Sequence, residues 1–162
     1  MDKMTHAARL PDHPAVELLN PPDLYDPSAN GYSHVARLAP GAQLVYTAGQ
    51  GGEDSQGQLS PDFSHQVQQA FVNLRATLAC AGAALTDVAK LTVLIVDHSE
   101  ARLAVLAHEI AQAWGTAAKP ACTLIPVPRL ALDGMLFEVE AIAALKCRAI
   151  GENGTRAPDA MS

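Results

Sequence analysis

Two acids, Glu138 and Glu140, stand in the run Met135-Leu136-Phe137-Glu138-Val139-Glu140-Ala141-Ile142-Ala143. Side chains of a strand alternate between its two faces. Phe137, Val139, Ala141 and Ala143 then point one way, and Glu138 and Glu140 the other. A carboxylate in a cleft with few waters has its pKa raised, which suits a group that activates water. A carboxylate on a solvent-facing strand is equally ordinary, and Glu140 fits that description or an ion pair across a subunit boundary. Cys122 is the second candidate, in Lys119-Pro120-Ala121-Cys122-Thr123. A nucleophilic thiol needs a lowered pKa and usually a nearby base. His34 and His108 are the nearest conceivable bases, and no spacing ties either to it. Cys122 also reads as a buried, inert thiol, or as a small neutral wall of a cleft. The third candidate is Gly49-Gln50-Gly51-Gly52, which lacks the order of a dinucleotide or phosphate loop. It reads as a bend exploiting positive φ, or as backbone lying close to a ligand.

The elements that must hold these residues follow from hydrophobic period and punctuation. Residues 16–31 are dense in turn formers and predict an extended segment lying on the domain. Strands are expected over 32–38 and 43–49, joined at Pro40-Gly41 as a hairpin. Ser60-Pro61 reads as the start of a helix, with serine as N-cap. Phe63, Val67, Phe71, Leu74, Leu78 and Ala81 form its apolar face, and Gly82 ends it. Residues 90–96 are nearly all apolar and suit a central strand. Residues 97–99 cap a second helix, whose stripe is Leu103, Leu106, Ala107, Ile110 and Trp114, with Gly115 as its stop. Strands over 121–127 and 135–145 follow, with Asp133-Gly134 as a tight turn between them. The expected class is α+β, with two helices on one face of a mixed sheet. The other sheet face mixes acids with Leu136 and Ile142, which suggests a surface covered by another subunit and holding a polar pocket.

Composition excludes several classes. The 162 residues suffice for one domain, expected over 16–147, with loose tails at 1–15 and 148–162. Apolar residues make up 49 % and charged residues 17 %, a globular balance. The net charge of −6, with scattered Lys and Arg, argues against nucleic acid as a partner. No apolar run is long enough to span a membrane, and the N-terminal residues lack a secretory core, so a cytoplasmic protein is expected. Cys80, Cys122 and Cys147 show no metal-ligand spacing and fit reduced thiols; the six His residues form no ligand pair. No metal site is expected. The sequon Asn153-Gly154-Thr155 carries no meaning without secretion.

The order and spacing of several runs resemble the RidA/YjgF family of reactive-intermediate deaminases. These are Gly31-Tyr32-Ser33, Val45-Tyr46-Thr47-Ala48-Gly49-Gln50, Gln66 with Asn73-Leu74, and Gly82-Ala83 with Leu85-Thr86-Asp87-Val88-Ala89-Lys90-Leu91-Thr92-Val93. Pro120-Ala121, Arg129-Leu130 and Phe137-Glu138-Val139-Glu140-Ala141-Ile142-Ala143 complete the likeness, which covers about residues 16–145. The resemblance implies a chorismate-mutase-like fold and a homotrimer whose sheets face inward, with clefts between subunits. It implies hydrolysis of small enamines and imines to keto acids and ammonia, without a cofactor. A glutamate that positions water falls on Glu138, a tyrosine on Tyr32, and a cleft-lining loop on Ala48, Gly49 and Gln50. The family's carboxylate-clamping arginine, in a Pro-Ala-Arg-Ser run, falls on Cys122, with Thr123 at the serine. An asparagine of the second helix falls on Val105.

Both departures touch the cleft. Arginine offers a fixed fork of donors to a carboxylate, whereas a thiol has one weak donor and no charge. A 2-imino acid is therefore a poor substrate unless Lys119, Arg129 or a basic residue of a neighbouring subunit reaches in. Three functions are compatible with the sequence: a cofactor-free deaminase of a small C=N compound using Glu138, a non-catalytic ligand-binding or stress-response trimer, and a thiol hydrolase using Cys122.

Overall fold

The computed structural model describes residues 14–146. Its strands and helices are β1 (Val16–Leu19), β2 (Val35–Leu38), β3 (Gln43–Tyr46), β4 (Gln50–Gly51), α1 (Phe63–Cys80), β5 (Val88–Val96), α2 (Glu100–Trp114), β6 (Ala121–Val127) and β7 (Phe137–Leu145). The main sheet runs β3-β7-β5-β6, with β4 paired to β7 on the same edge as β3. β5 and β6 are parallel, and β7 is antiparallel to β5, β3 and β4. The fold is α+β, with both helices packed on one face of a mixed sheet.

Period explains which face is covered. In β5 the residues Leu91, Val93 and Ile95 are buried, and in β7 Phe137, Val139, Ala141 and Ala143. These meet Val67, Ala70, Phe71, Leu74 and Leu78 of α1 and Leu106, Ile110 and Trp114 of α2 in one apolar cluster. The Trp114 indole N–H donates to the Leu85 carbonyl at 3.1 Å, so the large ring is buried without stranding its polar atom. The Arg102 guanidinium lies 4.7 Å from the Phe63 ring centroid and donates to the Val96 carbonyl, pinning the start of α2 to that of α1.

Several expectations are corrected. The pair over 32–38 and 43–49 is not a hairpin: β2 pairs antiparallel with β1, and β3 pairs with β7. Strand register is a long-range choice that a local Pro-Gly turn does not determine. The first helix is capped by Asp62, whose carboxylate accepts the His65 N–H at 2.9 Å, and not by Ser60. Ser60 instead accepts the Asp62 N–H at 3.1 Å. Ala81 and Leu103 were expected in apolar stripes; Ala81 is the exposed C-cap of α1, and Leu103 is 43 % exposed. Gly82, at φ +75°, does end α1, and Ser99 caps α2. Ala15 is buried and its carbonyl accepts the Ala39 N–H at 3.0 Å, so packed structure already includes it. Residues 1–13 and 147–162, with His6, Cys147 and the sequon, lie outside the described residues. Among the described residues, no helix is long and apolar enough to cross a membrane, and no group of acids, His and Cys is arranged to hold a metal ion.

Candidate functional site

The expected strand over 43–49 is broken where it matters. Four steps from Tyr46 to Gln50 are matched by three from Ile142 to Val139, so one extra residue bulges out between β3 and β4. Thr47 closes the gap: its hydroxyl accepts the Ala141 N–H at 2.9 Å, and its own N–H reaches the Ala141 carbonyl at 3.0 Å. Ala48 and Gly49 are thereby pushed outward and exposed. The Gln50 side-chain amide turns back onto the carbonyls of Ala48 and Gly49, both at 3.2 Å.

The glycines that follow are required by space, not by φ, since none of Gly49, Gly51 and Gly52 has a positive φ. A Cβ at Gly49 would stand 2.5 Å from Cδ of Glu138. One at Gly51 would overlap the Met135 methyl and stand 3.0 Å from Cδ of Glu53, and one at Gly52 would lie 2.5 Å from Cα of Gln66 in α1. The bend expected from positive φ is therefore corrected: bare backbone makes room for two carboxyls and a helix.

A cavity of about 770 Å³ has Gly49, Gln50, Glu53, Asn73, Leu132 and Glu138 in its lining. Glu138 is half-buried, and its carboxyl is pushed above the ordinary range by that burial, then by the charges of Glu53 and Glu140. Asp54 also lines the cavity; the N–H groups of Gln58 and Gln56 hold its carboxyl below the usual range. Among the described residues, no Lys, Arg or His lines this cavity. Sequence reasoning missed Glu53 and gave no role to Asn73. Asn73 donates to the carbonyls of Gly51 (3.0 Å) and Glu53 (2.8 Å), fixing the loop from α1. The fully buried Gln66 donates to the carbonyls of Ser60 (2.7 Å) and Gly134 (2.8 Å) and accepts the Leu136 N–H at 2.8 Å. A polar residue on the buried stripe of a predicted helix was the available signal, because buried amides must find partners.

Cys122 and Tyr32 lie elsewhere, in a second cavity of about 360 Å³ lined also by Tyr25, Leu103, Ala107, Ile110 and Leu124. The Tyr25 and Tyr32 hydroxyls are hydrogen-bonded to each other. Burial pushes the Cys122 thiol up to about 11, with Lys90 offsetting only part of this. At neutral pH such a thiol is ionised to about one part in ten thousand. His34 is engaged with the Tyr25 carbonyl at 3.0 Å.

Register separates the two cavities. Cys122 pairs with Leu91, which pairs with Ala141, all on the helix-covered face. Ile125 pairs with Leu94, which pairs with Glu138, on the opposite face. Thr123, next to Cys122, therefore also points to the open face, where the Lys90 ammonium donates to its hydroxyl. Val105 packs against the core cluster and lines neither cavity. Nor does Arg129, whose guanidinium reaches the Leu130 carbonyl and Asp133, both at 3.3 Å. The Lys119 ammonium donates to the Gly115 carbonyl at 2.8 Å. Among the described residues of one chain, then, no basic side chain lines the Cys122 cavity.

Comparison with known proteins gives this geometry a context. Residues 25–145 match the family model described as Endoribonuclease L-PSP. The RutC family protein YjgH of Escherichia coli K12 is 43 % identical over 54 residues, which span 33 % of this chain and 41 % of YjgH. The 2-iminobutanoate/2-iminopropanoate deaminase of Salmonella typhimurium is 32 % identical over 101 residues, 62 % of this chain and 78 % of that enzyme. Among solved structures, YyfB of Yersinia pestis, a Rid-family protein described as of unknown function, superposes with a TM-score of 0.77 at 34 % identity, over 81 % of this chain and 99 % of that one.

Proposed function

The chain belongs to the Endoribonuclease L-PSP family, whose members similar to it carry RutC and Rid names, and from that premise we propose that it is a hydrolytic deaminase of a small, uncharged imine or enamine. The observation that carries this reading is the Glu138 carboxyl, set over the bare backbone of Gly49 in an acidic cavity. A carboxyl with a raised pKa holds its proton to higher pH than an ordinary one and can both give and take it, which is what hydrolysis of a C=N bond asks of a side chain. Water must lose a proton as it attacks, and the nitrogen must gain one to leave as ammonia. No cofactor is needed for that exchange.

Substrate choice follows from Cys122. A neutral thiol among Tyr32, Leu103, Ala107 and Ile110 offers no counter-charge to a carboxylate. Hydrogen bonds to charged groups contribute about 1.5–3 kcal/mol, so a 2-imino acid would bind roughly tenfold to a hundredfold more weakly than to an arginine clamp. An apolar substituent fits the same cavity. A ligand that touches both Cys122 and Glu138 needs two copies of the chain, because the two residues face opposite ways. A homotrimer with clefts between subunits is the assembly we propose to join them. The acids of the Glu138 cavity would repel phosphate, which favours this small-molecule reading over cleavage of RNA.

Ammonia release tests it. 2-Iminopropanoate and a neutral imine would be generated in place by suitable oxidases and offered to wild type, Glu138→Gln and Cys122→Arg. The expected result is turnover of the neutral imine by wild type, a loss of about a hundredfold or more in Glu138→Gln, and a shift toward 2-iminopropanoate in Cys122→Arg. Equal turnover by wild type and Glu138→Gln would remove Glu138 from the chemistry.

A further inference from the structure

We propose that Glu53 is a second catalytic carboxylate of this site: Glu138 gives its proton to the nitrogen of the C=N group, while Glu53 takes a proton from the attacking water. This rests on the deaminase reading above and deepens it. The geometry starts from β4. The carboxyl of Glu138 fills the space a side chain at Gly49 would take, and the carboxyl of Glu53 the space of one at Gly51. Gly51 is also the direct cross-strand partner of Glu138. Two acids thus lie over alternate bare glycines and open into one cavity. Asn73 holds the backbone under Glu53 by bonding the carbonyls on both sides of Gly52.

Two carboxyls that open into one cavity disfavour the simultaneous ionisation of both, and Glu138 is the one that burial also pushes toward its neutral form. The groups facing Glu138 are Glu53 and Glu140, with Asp54 on the cavity wall, and among the described residues no cation lines the cavity. Burial and the Glu53 charge both favour the neutral form of Glu138, which places the proton there. As water attacks, its oxygen bonds to the imine carbon and its proton passes to Glu53. The π pair moves to nitrogen, which takes the Glu138 proton. The carbinolamine then returns its hydroxyl proton to Glu138, and the C–N bond breaks with its pair on nitrogen. Nitrogen takes the proton from Glu53, ammonia departs, and Glu138 again carries the proton it started with.

The test is a carboxyl titration by NMR on the full chain labelled with ¹³C at Glu Cδ, the Glu138 signal being assigned by its loss in Glu138→Gln. Glu53→Gln should move the Glu138 midpoint to lower pH and cut kcat about a hundredfold, while Glu53→Asp keeps the midpoint near wild type. An unchanged midpoint in Glu53→Gln, or unchanged kcat, overturns the proposal. Glu53→Ser removes the same charge with a smaller side chain, should the glutamine variant not fold. A wild type that releases no ammonia defeats the deaminase reading instead, and the titration then decides by itself whether Glu53 acts on Glu138.

Discussion

Cys122 and Glu138 stand on opposite faces of one sheet, three rows of register apart, with β5 between their strands. Cys122 shares its row with Leu91 and Ala141 under the helices; Glu138 shares its row with Leu94 and Ile125 on the uncovered side. The two positions to which we assign the chemistry and the specificity therefore belong to different cavities of a single chain.

That separation makes complementation the sharpest test of a shared site. Glu138→Gln removes the acid from one cavity, and Ala107→Trp fills the other. Each variant alone should be inactive. Mixed, refolded oligomers should regain part of the wild-type ammonia release, because some clefts would receive both intact halves. No recovery in a mixture whose mass corresponds to three chains would mean that the halves do not meet.

Thiol reactivity should follow burial. Iodoacetamide, read by peptide mass, should modify the exposed Cys80 well before Cys122, whose thiol is pushed up to about 11. Preferential labelling of Cys122 at neutral pH would revive the thiol-hydrolase reading.

The glycines should separate stability from activity. Gly52→Ala drives a methyl into the Gln66 backbone of α1, which cannot yield, and should cost about 1–3 kcal/mol, read as a fall in Tm. Gly49→Ala meets the end of the Glu138 side chain, which can swing aside. It should leave Tm close to wild type while displacing the carboxyl and cutting turnover.

Glu138 should also link stability to pH. Its folded-state pKa is raised above the ordinary 4.5, so the fold favours the protonated form. That contribution is complete below the ordinary value and is lost as pH rises through the folded-state value. Glu138→Gln should accordingly raise Tm at neutral and alkaline pH, and the gain should vanish in acid. A constant difference across the range would show that burial of this charge is not the cause.

Local sequence carried the parts of this molecule that depend on period. Alternation in β7 separated Phe137 and Val139 from Glu138 and Glu140, and the four-three spacing of α1 marked its core face. It failed where partners are distant. Nothing near Pro40-Gly41 says that β2 pairs with β1 and β3 with β7. Nothing near Cys122 says which face of β6 lies under α2, because that depends on register with β5. The extra residue at Thr47 to Gly49 is legible only beside Ile142 and Val139. Glu53 escaped notice because an acid in a Gly-Asp-Ser-rich loop looks like any solvated turn until its neighbour across the strand is known.

Gln66 has a consequence for motion. Its amide joins two separate stretches of backbone, at Ser60 and at Gly134 to Leu136, from a position with no solvent access. Pulling Leu136 away leaves the buried Oε1 of Gln66 without its N–H donor, at about 1–3 kcal/mol. The Leu136 amide hydrogen, beside the Glu138 cavity, should thus exchange with heavy water only when α1 itself unravels, so that this edge of the cavity behaves as part of the slowest-breathing unit of the fold.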